Sequence, residues 1–408
     1  MMSYKKLLGI FLIIIGLILN PLTIKSTIIS DIPFLKSKII GIILFDLILI
    51  ITGIYLLKGK RTGFLYELFK SDLIKNILLT ISTFVIIILL METFTYFLNS
   101  SNEDIIAVRS TNKTPAYKDE CISGYAPISQ TINDIMMLSN GSMVYNYTYT
   151  TDQHQRRVNP RKINNQHLIL FGDSFTFGVG LKDSETFPYQ LSRLSDYDIL
   201  NYAHKGYGPN HMLAYLEEED FGKDISNKEG SAIYVFIEHH VRRAYGDMST
   251  YSTYPLYGMP YYSVDKNGEL RRDGCFATQN PVKILVYKLM SKSNALKFFK
   301  INFPIKNRDS VYLTFRIIEK SKQVYESKFN GTFYVLMHPL DKQDILKPDE
   351  KEYLMDLLWQ ANIEVLQYPI EDNGSCRIHL DSHPNAEYNA VLAKILAQGL
   401  INGSIQIK

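Results

Sequence analysis

Three apolar runs in the first hundred residues constrain this chain more than anything else in it. Residues 7–24, 39–57 and 77–98 are apolar throughout apart from short polar interruptions, and only Asp46 and Glu92 bring charge into them. Each run reaches the roughly 18 residues that a membrane-spanning helix needs, so residues 1–99 are expected to form an anchor of three transmembrane helices. A cleavable signal peptide competes for the first run, which Asn20 and Pro21 interrupt, but no A-x-A-like cleavage site follows it and two further runs lie behind. Lys5 and Lys6 precede the first run, and Lys58, Lys60, Arg61, Lys70 and Lys75 crowd the second loop, against Lys25, Lys36 and Lys38 in the first. That bias puts the N-terminus in the cytoplasm and, after an odd number of spans, everything beyond residue 99 outside the cytoplasmic membrane of a bacterial cell. Asp46 reads as a protonated or helix-paired carboxyl in the anchor, and Glu92 as one that reaches the outer interface.

The remainder has the mixture of a soluble domain. The net charge is only +3, and part of it belongs to the membrane loops, so no nucleic-acid surface is indicated. Cys121, Cys275 and Cys376 show no C-x-x-C spacing. A zinc site is therefore not expected, no other metal or cofactor is called for, and one disulfide is permitted by the compartment without being demanded.

Residues 100–166 read as a linker to about 125 and then a β-rich lead-in, where Met143, Tyr145, Tyr147 and Tyr149 fall on one face of a period-two pattern. From 167 onward short apolar strands alternate with helix-length segments. Strands are expected at 167–171, 198–202, 231–237, 332–338 and 363–368, with helices near 186–194, from 209, and at 310–329, 350–361 and 385–401. The alternation predicts an α/β, doubly wound parallel sheet over 167–408, interrupted by an irregular, Tyr-rich insertion at about 245–308.

Ser174, in the stretch FGDSFTFG, sits just past the first of these strands, at the edge where open α/β sheets build their sites. There its Oγ and its backbone N–H would share one small volume, fit to attack a carbonyl and hold the resulting oxyanion; a helix cap is the plainer role for Gly-Asp-Ser. Asp381 and His383 lie together in the loop before the last helix. They can supply a base of near-neutral pKa and the carboxylate that fixes its tautomer, or merely a capped turn and a surface histidine. Gly206, after the second strand, would bring another N–H beside Ser174 or serve only a turn.

Taken together, the blocks FGDSFTFG, NYAHKGYG, FIEHHVRRA and DSHPN, in this order over residues 167–401, resemble the SGNH or GDSL-type hydrolases; the first and last blocks are the specific ones. The resemblance implies a flavodoxin-like fold with Ser174 as nucleophile, His383 as base, Asp381 as its orienting carboxylate, and the N–H groups of Ser174 and Gly206 in an oxyanion hole. Two departures stand out. Many members place Asn at the end of the third strand to complete that hole, where this chain has Glu238-His239-His240; alignment by the strand end gives the position to His240, with His239 as the fallback. The last block is Asp-x-His rather than Asp-x-x-His, a form similar to envelope-polysaccharide acetylation proteins, with Asp372 as a substitute carboxylate. Arg242 or Arg243 would pair with Glu238 or bind an anionic substrate group, with the structural role preferred, and His211 would lie on the surface or line the site. The Tyr-rich insertion would wall the cleft or pack a satellite core.

The expected protein is thus a membrane-anchored, extracytoplasmic serine esterase acting on acylated glycans or lipids of the envelope through an acyl-serine intermediate. An O-acyltransferase served by a membrane-bound acyl-donor partner is the first alternative. A catalytically silent SGNH-fold scaffold is the second.

Overall fold

The computed structural model describes residues 9, 10, 13, 72–99, 105–110, 121, 129–138, 140–253, 259–341, 345–368, 370 and 375–401; some side chains of 72–99, and those of 105–110 and 251–253, lie outside that set. It divides into two compact units, one of residues 1–100 with 292–299 and one of 101–291 with 300–408.

In the first unit a helix of 28 residues, α1 (Asp72–Asn99), covers the third apolar run. Among the described residues no helix is long and apolar enough to cross a membrane. The first two expected spans, 7–24 and 39–57, lie outside the described residues except for positions 9, 10 and 13. Between Lys75 and Glu92, however, the sequence of α1 carries no charge at all.

The second unit begins with an antiparallel sheet of β1 (Ile105–Ser110), β2 (Thr131–Leu138) and β3 (Met143–Thr150), in that order. Tyr147 and Tyr149 of β3 are buried against Phe177, Val179 and Ala203, while Met143 at the strand's start is exposed. Period-two alternation places these tyrosines on one side of the strand, and their rings supply the adhesive face.

The main sheet comprises β4 (His167–Phe171), β5 (Asp198–Asn201), β6 (Glu229–Phe236), β9 (Asn330–Met337) and β10 (Glu364–Gln367). Its order is β10-β9-β6-β4-β5, and every pair is parallel. Numbered within the domain this is 2-1-3-4-5, the flavodoxin-like arrangement, whose strand order reverses between β4 and β6.

Burial on both faces explains why β4 is wholly buried. Leu168 and Leu170 point to a core shared with α3 (Phe187–Leu194) and α10 (Ala386–Ile401) through Phe187, Leu191, Leu392 and Leu396. Ile169 and Phe171 point to the opposite core, with α4 (Pro209–Glu217), α8 (Arg308–Lys328) and α9 (Pro348–Gln360) contributing Met212, Phe315, Ile318 and Leu354. His167 is buried on the same strand because both ring nitrogens find partners, Asn227 O at 3.0 Å and Tyr325 OH at 2.7 Å.

Among its described residues the 245–308 segment is not irregular. It holds α5 (His239–Tyr245) at its entry, a short helix Met248–Thr253, the antiparallel hairpin β7 (Pro260–Val264) and β8 (Leu270–Cys275), a short helix Phe276–Gln279, α6 (Pro281–Met290) and α7 (Asn294–Phe298). Tyr262 packs a satellite core with Leu213, Ala244 and Ile317, and its hydroxyl donates to Glu217 at 2.8 Å. A disulfide joins Cys121 to Cys275.

Candidate active site

The carboxyl edge of the sheet is built first by the turn after β4. A side chain at Gly172 would meet Thr176 Oγ1 at 2.4 Å and Val235 at 3.3 Å, so only glycine passes here. Asp173 then caps α2 (Ser174–Phe177), its Oδ1 accepting the Phe175 N–H at 3.0 Å. Ser174 is thereby the first residue of the helix, 6% exposed, with a backbone N–H that no intrahelical carbonyl can satisfy.

The other carboxylate oxygen of Asp173 accepts from Arg243 Nη1 at 2.7 Å. The same nitrogen donates to the carbonyl of Tyr207 at 2.7 Å. Arg243 therefore pairs with Asp173 and not with Glu238, and ties the Ser174 turn to the loop containing Gly206, whose φ of +72° requires glycine. Arg242 lies 3.7 Å from Asp247. Burial alone would raise the Asp173 pKa, but the Arg243 and His240 beside it hold it well below the usual carboxylate range.

His240 is fully buried, with Nδ1 on the Tyr234 hydroxyl at 2.7 Å and on the Ile237 N–H at 3.4 Å. Two donors converging on Nδ1 leave the proton on Nε2, which faces Asp173 Oδ2 at 3.7 Å. Burial lowers the His240 pKa against the pull of Asp173. That 3.7 Å separation is beyond hydrogen-bond distance, and the ring of His240, expected from its place in the third block to donate into the cleft, lies buried beside the Asp173 turn. His239 is half-buried at the start of α5.

Asp381 and His383 come together in one tight loop. Asp381 Oδ1 lies 2.6 Å from His383 Nδ1 and accepts the His383 backbone N–H at 3.1 Å. Arg377 braces the loop by donating to Ser382 O at 2.6 Å and to Leu340 O at 2.7 Å, while the Ile378 N–H donates to His383 O at 2.9 Å. Burial would raise the Asp381 pKa, yet the hydrogen bond from His383 keeps it below normal, so the carboxylate is charged. Asp372 lies outside the described residues.

Phe175, the neighbour of Ser174, packs edge-on to the His383 ring with centroids 5.6 Å apart. Ser174 Oγ and His383 share no direct hydrogen bond among the described residues; such pairs often close only around substrate.

His211, expected to line the site or lie on the surface, is fully buried, stacked 4.0 Å from the Tyr207 ring. Burial and the nearby Arg243 push its pKa down to about 3. Two other polar residues at this edge had no place in the sequence reading. His338, at the end of β9, packs 4.9 Å from Phe175 and is likewise lowered to about 3, chiefly by burial. Asp341 accepts the Glu238 N–H at 2.5 Å and is raised to about 6 by burial. The available signal was MHPLD at a parallel strand's carboxyl end, the same positional argument that singled out Ser174.

Among the described residues no three His, Cys, Asp or Glu side chains group as metal ligands. A cavity of 480 Å³, lined by Asp152, Arg156, Arg161, Asn201 and Asp224 among others, contains none of Ser174, Asp381 or His383. Of its arginines, Arg156 is paired with Asp152 and Asp224, Arg157 with Asp183, and Arg161 with Asp198.

No protein-family model matches this chain, and no curated protein matches it. Solved structures do resemble it at low identity. One is a carbohydrate esterase family 2 enzyme with a carbohydrate-binding domain from Corynascus thermopiles (Myceliophthora fergusii), at 12% identity and a TM-score of 0.38, covering 66% of this chain and 72% of that one. Another is a G-D-S-L family protein from Desulfitobacterium hafniense DCB-2, at 16% identity and 0.30, covering 58% and 100%. An acetyl xylan esterase from the rumen bacterium Butyrivibrio proteoclasticus is similar at 11% identity and 0.33, covering 61% and 65%.

Proposed function

We propose that the protein is a serine esterase of SGNH type, anchored in the cytoplasmic membrane and acting outside it on acyl esters of envelope glycans or lipids. The observation that carries this reading is the 2.6 Å contact between Asp381 and His383, in a loop whose imidazole packs on the residue after Ser174. In the reaction, Ser174 Oγ attacks the ester carbonyl while His383 Nε2 takes its proton, and Asp381 stabilises the imidazolium. The N–H groups of Ser174 and Gly206 receive the oxyanion. His383 returns the proton to the departing alcohol, and water, activated by the same imidazole, then releases the acid from the acyl-serine.

The anchor is supported by the three apolar runs and the lysine bias of their loops. The side facing outward is supported by the Cys121–Cys275 disulfide, since such bonds persist in oxidising compartments. If a partner delivers acyl groups through the membrane, the same acyl-serine would pass its acyl to a glycan hydroxyl in place of water.

Full-length protein in detergent, treated with a fluorophosphonate probe, is expected to label at Ser174 and to hydrolyse p-nitrophenyl acetate. Ser174→Ala should lose all labelling, and His383→Ala should lower turnover by about a hundred- to ten-thousandfold. Wild-type protein that neither labels nor hydrolyses would refute the enzyme and favour a scaffold. An acylated glycan product in place of free acid would identify transfer.

A further inference from the structure

The loop after β5 closes on itself where the Tyr207 N–H donates to the His204 carbonyl at 3.1 Å. Gly206 is the third residue of that turn, with φ of +72°, and Lys205 before it keeps a negative φ, the pattern of a type II turn. The central peptide joins Lys205 to Gly206, so it carries the N–H proposed above for the oxyanion. Type I and type II turns differ by turning that one peptide over. Glycine tolerates both forms, so the direction of the N–H depends on what holds the residues to either side.

Tyr207 is held at its carbonyl by Arg243. Lys205 is held from the lead-in sheet. Its ammonium bonds Asp134 Oδ2 of β2, which also accepts the Tyr147 hydroxyl at 3.2 Å. The ammonium lies 5.5 Å and 5.3 Å from the ring centroids of Tyr147 and Tyr149 on β3. Both charged side chains are largely out of water, 15% exposed for Lys205 and 8% for Asp134, so the pair is not a loose surface contact. The same strand packs Tyr149 edge-on to Phe177, the last residue of α2, with centroids 5.0 Å apart. β3 therefore touches both the helix that Ser174 begins and the loop that carries Gly206.

We propose that Lys205 and Asp134 are positioning residues of the oxyanion hole, their ion pair fixing the Lys205–Gly206 peptide so that the Gly206 N–H stays on the developing oxyanion. The lead-in sheet is then part of the catalytic apparatus. The inference rests on the esterase reading above. A purely structural staple would contribute stability alone, whereas a pair that aims an oxyanion donor acts when charge develops on the substrate oxygen, so its loss falls on kcat.

The test uses full-length protein in detergent with p-nitrophenyl acetate, and phenylboronic acid as a tetrahedral mimic on Ser174. Lys205→Met and Asp134→Asn are each expected to lower kcat about a hundredfold with KM within about twofold, the scale of one lost oxyanion donor. The inhibition constant of the boronate should rise by a similar factor. The double variant should be no slower than the slower single one, because the two residues act as a unit. Tyr147→Phe removes one hydrogen bond from Asp134 and leaves the ion pair; it should lower kcat about fivefold at unchanged KM, and it serves where the charge variants do not fold. Folded variants with wild-type kcat and boronate affinity would overturn the proposal, as would losses that multiply in the double variant. A wild-type chain without turnover or boronate binding would refute the esterase reading itself, and the positioning role with it.

Discussion

At the scale of single residues, Arg243 has the most to do relative to how little its sequence position suggests. One guanidinium nitrogen is shared between Asp173 Oδ2 and the Tyr207 carbonyl, each at 2.7 Å. Asp173 precedes Ser174 and Tyr207 follows Gly206, so this nitrogen sets the spacing between the two backbone donors proposed for the oxyanion. Asn210 in turn holds Arg243 by donating to its carbonyl at 3.2 Å. Arg243→Lys keeps the charge but gives up the planar fork that spans both acceptors. The expected result is a kcat roughly a hundredfold lower with KM within about twofold, as follows when a reacting group is displaced by an ångström. Unchanged kcat would show that the clamp is only structural. Sequence proximity pointed Arg243 at Glu238, five positions away; in the fold Glu238 turns to Leu346 N and Lys351, and the true partner is seventy residues upstream.

At the scale of elements, the strand–helix alternation was legible because β4, β6 and β9 are apolar runs buried on both faces and their helices carry plain start signals, Thr186, Pro209, Asn307 and Pro348. The insertion was not legible: its helices are short and its hairpin carries Arg271, Arg272 and Asp273 on an exposed strand, so no period dominates. Ser174, Asp381 and His383 were singled out by residue type and order, whereas His240 was assigned by strand-end alignment alone, which says nothing of where a ring points. The first crossover after β4 shows a further device that leaves no pattern. Arg157 is fully buried and donates to Phe177 O at 2.8 Å, Gly178 O at 2.6 Å and Leu181 O at 2.5 Å, while its Nε meets Asp183 at 2.7 Å. Those carbonyls end α2 and have no strand to bond. Arg157→Ala leaves those carbonyls without this donor, while Asp183, which also accepts the Thr150 N–H at 3.1 Å, stays satisfied; each buried group left unsatisfied costs about 1–3 kcal/mol. A urea midpoint followed by Trp359 emission should fall accordingly; a shift worth under about 1 kcal/mol would mean that water replaces the guanidinium without loss.

At the scale of the whole molecule, the sheet's carboxyl edge stores a set of neutral histidines whose energetic signature is pH dependence. His211 and His338 titrate at about 3 in the fold, for burial above all, against about 6.5 in an unfolded chain. Lowered pKa values mean that the unfolded state binds protons first, so their contribution to stability is complete above about pH 6.5 and is lost as pH falls toward 3. Each adds a slope of about 1.4 kcal/mol per pH unit inside that window. Asp341 has the opposite sign. Raised to about 6, its contribution is complete below about pH 4 and is lost as pH rises through 6. Between about pH 4 and 6 one carboxyl therefore cancels roughly one of the two histidines. Asp341→Asn removes the cancellation, and the slope of unfolding free energy against pH should steepen there by about one proton relative to wild type. His338→Gln should flatten it by the same amount. Urea titrations at half-unit intervals from pH 4 to 7 read both effects, and parallel curves for the Asp341→Asn variant and the wild type would show that Asp341 is not held protonated by its burial beside Glu238.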